Sequence, residues 1–269
     1  IVIPNAKMVY NDENLGYQIF KLDTPLKPSG KLHIEVETSY TSKGFENKIS
    51  TIRVVENGTF FDSTIILPSF GYDLNNELLD KNERKLAGLK PKKQLTKLEK
   101  HQYKDLQENY ITGKTSDWVN VETIISTSKD QIAISPGSLI KQWQVGERKY
   151  FNYKNDYKSI NFINFMSARY EIAKKKWNGL DLEVYYHKTH HYNISIMQKA
   201  LEKSLDYYIS NFGPYYHKQA RILEIPKYYN FAQAFPGTMP YTEGAGFITN
   251  LSNKSDNIVI FSIIAHEMA

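Results

Sequence analysis

The chain reads as an α+β protein. Three observations predict this class. Short β-branched and aromatic runs, with turn signals between them, fill much of residues 1–155. Beyond about residue 160 the order changes to strands interleaved with helical patterns. Two segments, 193–212 and 258–269, have the length and apolar content of packed helices. A cluster of Lys, Asn, Asp and Ser at 154–160 marks the boundary between a β-rich domain (1–155) and a mixed segment (156–269). A length of 269 residues is above the usual single-domain size, which also favours two domains.

The elements follow in order. Lys31-Leu-His-Ile-Glu-Val-Glu37 alternates apolar and polar residues as a half-buried strand does. The run 60–67 is β-branched and aromatic and stops at Pro68. Residues 74–110 then form a helical excursion. Leu74, Leu78, Leu79, Leu95, Leu98 and Leu106 recur at helical spacing, and Gly88 and Pro91 split the pattern in two. Strand patterns resume at 118–127, 131–135, 139–145 and 150–153. In the second half 162–173 and 180–187 read as strands. In 193–212, Ile194, Met197, Leu201, Leu205, Tyr208 and Phe212 form one helical stripe, which Gly213-Pro214 ends. A strand is expected at 221–225, a long loop over 226–255, and a buried helix at 258–269. A loop of that length inside a domain is usually functional.

Composition narrows the function. The sequence is 41% hydrophobic, 13% aromatic and 23% charged, which fits a folded protein. The absence of cysteine excludes disulfides, a thiol nucleophile and cysteine-ligated zinc. No apolar run approaches the ~20 residues of a membrane span, and no signal peptide is visible. The chain itself therefore reads as soluble. It opens on Ile1, which suggests a piece of something longer. The net charge of +5 is local. Residues 81–104 hold nine Lys/Arg and two Glu, hence +7, so the remainder sums to −2. The segment reads as a solvated helical face, or as a contact for an acidic partner or an anionic surface. A nucleic-acid partner is not expected. It would require affinity that falls steeply with salt and disappears on deletion of 81–104.

Chemistry concentrates at the C-terminal end. Ile263-Ile-Ala-His266-Glu267-Met-Ala269 contains His-Glu-x-x, four-fifths of His-Glu-x-x-His. In that motif two His one helical turn apart reach one Zn²⁺, and the Glu serves as general base toward its bound water. Alone, a His-Glu pair on a buried helix reads first as a structural histidine. Upstream lies Pro240-Tyr-Thr-Glu243-Gly-Ala-Gly246-Phe-Ile248, with 22 residues between Glu243 and His266. Together the two segments resemble the gluzincin-type zinc aminopeptidases, the group of aminopeptidase N and leukotriene A4 hydrolase. That family pairs a Gly-x-Met-Glu-Asn segment with Val/Ile-Ile/Val-Ala-His-Glu-Leu/Met-Ala-His. Only the Glu of the first signature stands here, as Glu243, and Gly244 replaces its Asn. Pro68-Ser-Phe-Gly-Tyr72, Ser126-Thr-Ser-Lys-Asp-Gln-Ile-Ala-Ile-Ser-Pro-Gly137 and Phe231-Ala-Gln-Ala-Phe-Pro236 are similar to the bacterial branch fused to an ABC-transporter-permease-like membrane region.

The resemblance implies a sandwich- or saddle-like β domain followed by the opening part of a thermolysin-like catalytic domain. It implies His266 as the first zinc ligand and Glu267 as general base. Glu243 would bind the α-amino group of a peptide, and Tyr241, Thr242 and Gly244 would border the substrate, which runs beside 240–244 as an extra strand. The remaining ligands would lie beyond residue 269, so the chain alone is expected to be inactive and to hold little zinc. The implied parent is membrane-associated through a linked or partner permease region, with this part extracytoplasmic. The alternative is a non-catalytic peptide-binding or assembly module that keeps the fold; Gly244 in place of Asn favours it. His187, His190 and His191 form a local His-x-x-His cluster with no carboxylate close behind, which reads as surface or capping. The sequons at Asn57, Asn193 and Asn250 read as chance, and the 20 tyrosines as packing.

Overall fold

A computed structural model describes residues 1–14, 16–42, 53–71, 78–92, 118–251 and 257–269. The chain divides into two compact units, Ile1–Thr41 and Ser42–Ala269.

The first unit is built on a hairpin. Strands β1 (Ala6–Asp12) and β2 (Tyr17–Leu22) pair antiparallel, with a bulge between Met8 and Tyr10. The turn is set locally: Asp12 Oδ1 accepts the Asn14 N–H (3.0 Å), and Gly16 takes φ 63°. The strand expected over 31–37 is only one bridge, Val2 to Glu35. Ile34 and Val36 do face inward. Alternation encodes such a face but supplies no ladder partner.

The second unit is α+β, as the sequence predicts, and its sheets are mostly antiparallel. Strand β3 (Thr59–Asp62) leads into a single helical turn, α1 (Ser63–Ile66). The strand expected over 60–67 stops early because Asp62 caps this turn, accepting the Thr64 N–H at 2.9 Å. Helix α2 (Lys81–Leu86) is capped likewise by Asp80. It is the part of the helical excursion within the described residues; the second helical piece, at 93–110, lies outside them. Strands β4 (Glu122–Ser128), β5 (Ile132–Ile134), β6 (Ser138–Val145), β7 (Arg148–Lys154) and β8 (Asn164–Ala168) follow. They form two antiparallel sheets, β4-β7-β6 and β3-β8-β5. The expected 155/156 boundary falls between β7 and β8, and β8 pairs with strands that precede it.

The largest sheet has the order β12-β11-β10-β9. Strand β9 (Tyr170–Trp177) is antiparallel to β10 (Leu180–His187). Helix α3 (Ile194–Phe212) then carries the chain to β11 (Gln219–Ile225), parallel to β10. The loop expected over 226–255 instead contains β12 (Thr238–Thr242), parallel to β11, and a π-helical turn, Glu243–Phe247. Helix α4 (Asn257–Met268) completes the described chain. The two-residue period of strands sorts the core. Leu182, Val184, Ala220 and Ile222 pack on Met197, Leu201 and Leu205 of α3 and on Ile260 and Ile264 of α4. Tyr185, Leu223 and Ile225 point to the other side and join Phe60, Ile134 and Met166.

All seven residues of β11 are buried. Its polar members must therefore be paired. Gln219 Nε2 and Arg221 Nη1 both donate to the Gly137 carbonyl, at 2.9 and 2.8 Å, and Arg221 Nε donates to Glu183 at 2.8 Å. The last of these polar residues is Glu224, which faces the candidate site.

Candidate functional site

Helix α4 holds His266 and Glu267 at its last turn. Ile260 and Ile264, both buried, fix the helix on the core, and the Tyr208 hydroxyl of α3 donates to the Ala265 carbonyl at 2.9 Å. His266 and Glu267 line a cleft of about 550 Å³ together with Phe231, Ala232, Tyr241 and Thr242. Glu267 Oε2 accepts the Ala234 N–H at 2.6 Å, which sets the carboxylate's orientation. The Tyr241 hydroxyl is buried there with no hydrogen-bond partner among the described residues. Burial pushes its pKa up to about 12. The Thr242 hydroxyl is engaged, donating to the Tyr229 carbonyl at 2.6 Å.

The fold thus brings four expected residues, His266, Glu267, Tyr241 and Thr242, to one cleft. The donor set falls short of a catalytic zinc centre, which takes three protein ligands. Among the described residues His266 belongs to no group of three donors. The expected substrate strand also meets an occupied edge. The side of β12 away from β11 is bonded to the chain's own 231–235: Thr242 N–H to Phe231 O at 3.1 Å, Gln233 N–H to Pro240 O at 3.2 Å, and Phe235 N–H to Thr238 O at 2.8 Å.

Glu243 stands apart from His266. It opens the π-helical turn, and its Oε1 accepts the Lys227 N–H at 2.8 Å. This backbone contact orients the carboxylate. Gly244 is not required by space, since a Cβ there would meet only the Lys227 side chain, at 3.6 Å. Glu243 lines a second cleft, of about 950 Å³, with Asn57, Arg169, His187, His190 and Lys227.

At the wall of that cleft three donors converge. His190 Nδ1 is hydrogen-bonded to Glu224 Oε1 and lies 3.8 Å from Glu243 Oε2. The other Glu224 oxygen accepts the His187 N–H at 2.7 Å. The His190, Glu224 and Glu243 donor atoms all lie within 4.8 Å of one another. Glu224 is fully buried, and burial pushes its pKa up to about 7 against the downward pull of His190. Burial, and then the neighbouring His190, hold His187 below the usual imidazole value.

The fold is aminopeptidase-like. It is similar to the crystal structure of Legionella pneumophila aminopeptidase A in complex with aspartic acid, with a TM-score of 0.51 and 14% identity. The match covers 56% of this chain and 19% of that one, so the chain spans a small part of the solved protein's length. No protein-family model and no curated protein matches the sequence.

Sequence reasoning missed the second cluster because its carboxylates are distant in the chain. His190 is followed by Glu224 and Glu243 at separations of 34 and 53 residues. The parallel register of β10, β11 and β12 brings them together: Tyr185 faces Leu223, and Glu224 faces Tyr241. One signal was available. A Glu inside the apolar run Ile222-Leu-Glu-Ile225 must find a partner if the strand is buried. At Asn193 the sequon is accounted for by packing. Asn193 is buried, and its Nδ2 donates to the carbonyls of Gly246 (2.8 Å), Phe247 (3.3 Å) and Thr249 (3.0 Å), so it is no glycan acceptor in this fold.

Proposed function

We propose that the chain is part of a zinc aminopeptidase of the gluzincin type, hydrolysing N-terminal residues from peptides. The observation that carries this reading is the placement of His266 and Glu267 side by side in a cleft walled by β12, within an aminopeptidase-like fold. In it His266 would be one ligand of a zinc ion, which would supply Lewis-acid chemistry at the scissile carbonyl. Glu267 is the general base: Ala234 holds Oε2, which leaves Oε1 to take the proton of the attacking water. Tyr241, Thr242 and Gly244 border the substrate, and Glu243 Oε2, the oxygen that Lys227 does not hold, takes its α-ammonium in place of its contact with His190. In the same reading the parent is membrane-associated through a linked or partner permease region. Among the described residues no helix is long and apolar enough to cross one.

The test is Glu267→Gln in the full-length parent. Aminopeptidase turnover is expected to fall by about 10²–10⁴ while the zinc content stays unchanged. Equal turnover would overturn the reading.

A second reading, a non-catalytic peptide-binding or assembly module, is favoured by two observations. The outer edge of β12 is already bonded by 231–235, and Glu243 faces a different cleft from His266. It expects the parent to bind peptides without hydrolysing them.

A further inference from the structure

We infer that His190, Glu224 and Glu243 form a site for one divalent transition-metal ion, separate from His266. The inference goes beyond the peptidase reading and does not rest on it. The three donors come from the loop after β10, from the middle sheet strand β11 and from the π-helical turn after β12, so the sheet register fixes their spacing. Each carboxylate has one oxygen pinned by a backbone N–H, Glu224 by His187 and Glu243 by Lys227. Each turns its second oxygen toward His190 Nδ1. Backbone groups that orient ligands in this way are what metal sites use to hold their donors ready.

The donor chemistry names the ion. One imidazole nitrogen and two carboxylate oxygens suit Zn²⁺, Mn²⁺ or Fe²⁺. Ligands about 2.1 Å from a tetrahedral ion stand roughly 3.4 Å apart. The 3.8 Å between His190 and Glu243 is close to that spacing. The His190–Glu224 hydrogen bond would have to open to that spacing, the ion replacing the proton that now links the two groups. The adjoining cleft leaves the remaining coordination positions to water. A cation here also neutralises Glu224, a carboxylate with no solvent exposure. A metal and a substrate ammonium would use the same Glu243 oxygen, so the two occupants exclude each other.

The experiment is calorimetric titration of the purified 269-residue chain with ZnCl₂ and with MnCl₂, plus metal analysis after dialysis. Wild type is expected to take up one equivalent of at least one of the two ions at micromolar concentration. His266→Ala should leave this unchanged. His190→Ala and Glu243→Gln should each weaken it by at least about tenfold. Glu243 is partly exposed, so its variant keeps the test valid if changes at buried Glu224 prevent folding; circular dichroism checks each protein. Absence of uptake overturns the inference. So does uptake that survives both His190→Ala and Glu243→Gln, or uptake lost in His266→Ala, which would place the ion at the helix α4 site instead. Loss of turnover in Glu267→Gln tests the peptidase reading separately.

Discussion

Arg221 is held in the interior by a small set of partners, and its neighbour Glu183 carries the compensating charge. The two side chains are 7% and 5% exposed, and their 2.8 Å bond is flanked by the Gly137 carbonyl and the Tyr153 ring. Burial alone would raise the Glu183 pKa; Arg221 and Lys174 outweigh it and hold the carboxyl below its usual value. A depressed carboxyl stabilises the fold above its unfolded pKa, and that contribution disappears as pH falls through the folded one. Glu183→Gln should therefore cost about 3–5 kcal/mol at neutral pH, because Arg221 is left buried and uncompensated. In urea unfolding the gap to wild type should begin to narrow below about pH 4.5, the ordinary carboxyl value, and close as the pH falls through the depressed value of the folded state. A gap independent of pH would show that packing, not charge, is at stake. Single residues of this kind were only partly legible. His266 and Glu267 could be singled out because they are adjacent along one helix, and the structure places both on one cleft. The partners of Arg221 and Glu224 were not, because they are set by strand register between distant segments.

The elements divide along the same line. Helix α3 and strand β10 were legible nearly to their ends, since each carries its own signal: an apolar stripe in one, a short run of Leu182, Val184, Tyr185 and Tyr186 in the other. Strand β12 was hidden in an expected loop. All five of its residues are buried, so it shows no alternation, and Pro240 argues against a strand. Pairing with β11 on one side and with 231–235 on the other makes it one. Its continuation, the π-helical turn, is tied to the start of α3 by Asn193, whose amide serves three carbonyls. Asn193→Ala leaves those carbonyls without their donor and should cost about 1–3 kcal/mol. Hydrogen exchange should locate the loosening at 244–249, beside Glu243. A uniform loss of protection over the whole sheet would instead mean that Asn193 acts on the core. Tyr208→Phe, which removes the bond from the Tyr208 hydroxyl of α3 to the Ala265 carbonyl of α4, is the milder control, at about 0.5–1.5 kcal/mol.

At the scale of the whole chain, the α+β class was legible because both periods are strong. The extent of the compact units was not legible, because compactness depends on which strands find partners. The first unit, Ile1–Thr41, shows how much this matters. It has strand-forming residues in plenty, yet no residue of β1 or β2 is buried, and Met8, Val9, Tyr10 and Tyr17 are each about half exposed. Among the described residues its pairing beyond the hairpin is the bridge from Val2 to Glu35. A two-stranded hairpin is at best marginally stable in water, and chains near about 40 residues rarely bury enough surface to fold without a disulfide or a metal. This one has no cysteine to supply the former. A peptide of residues 1–41 should therefore melt without a cooperative transition, and its amide proton shifts should cluster near random-coil values. A sharp melting step, with protected amides in β1 and β2, would show that cross-strand pairs such as Met8–Phe20 and Asp12–Tyr17 suffice to hold the hairpin.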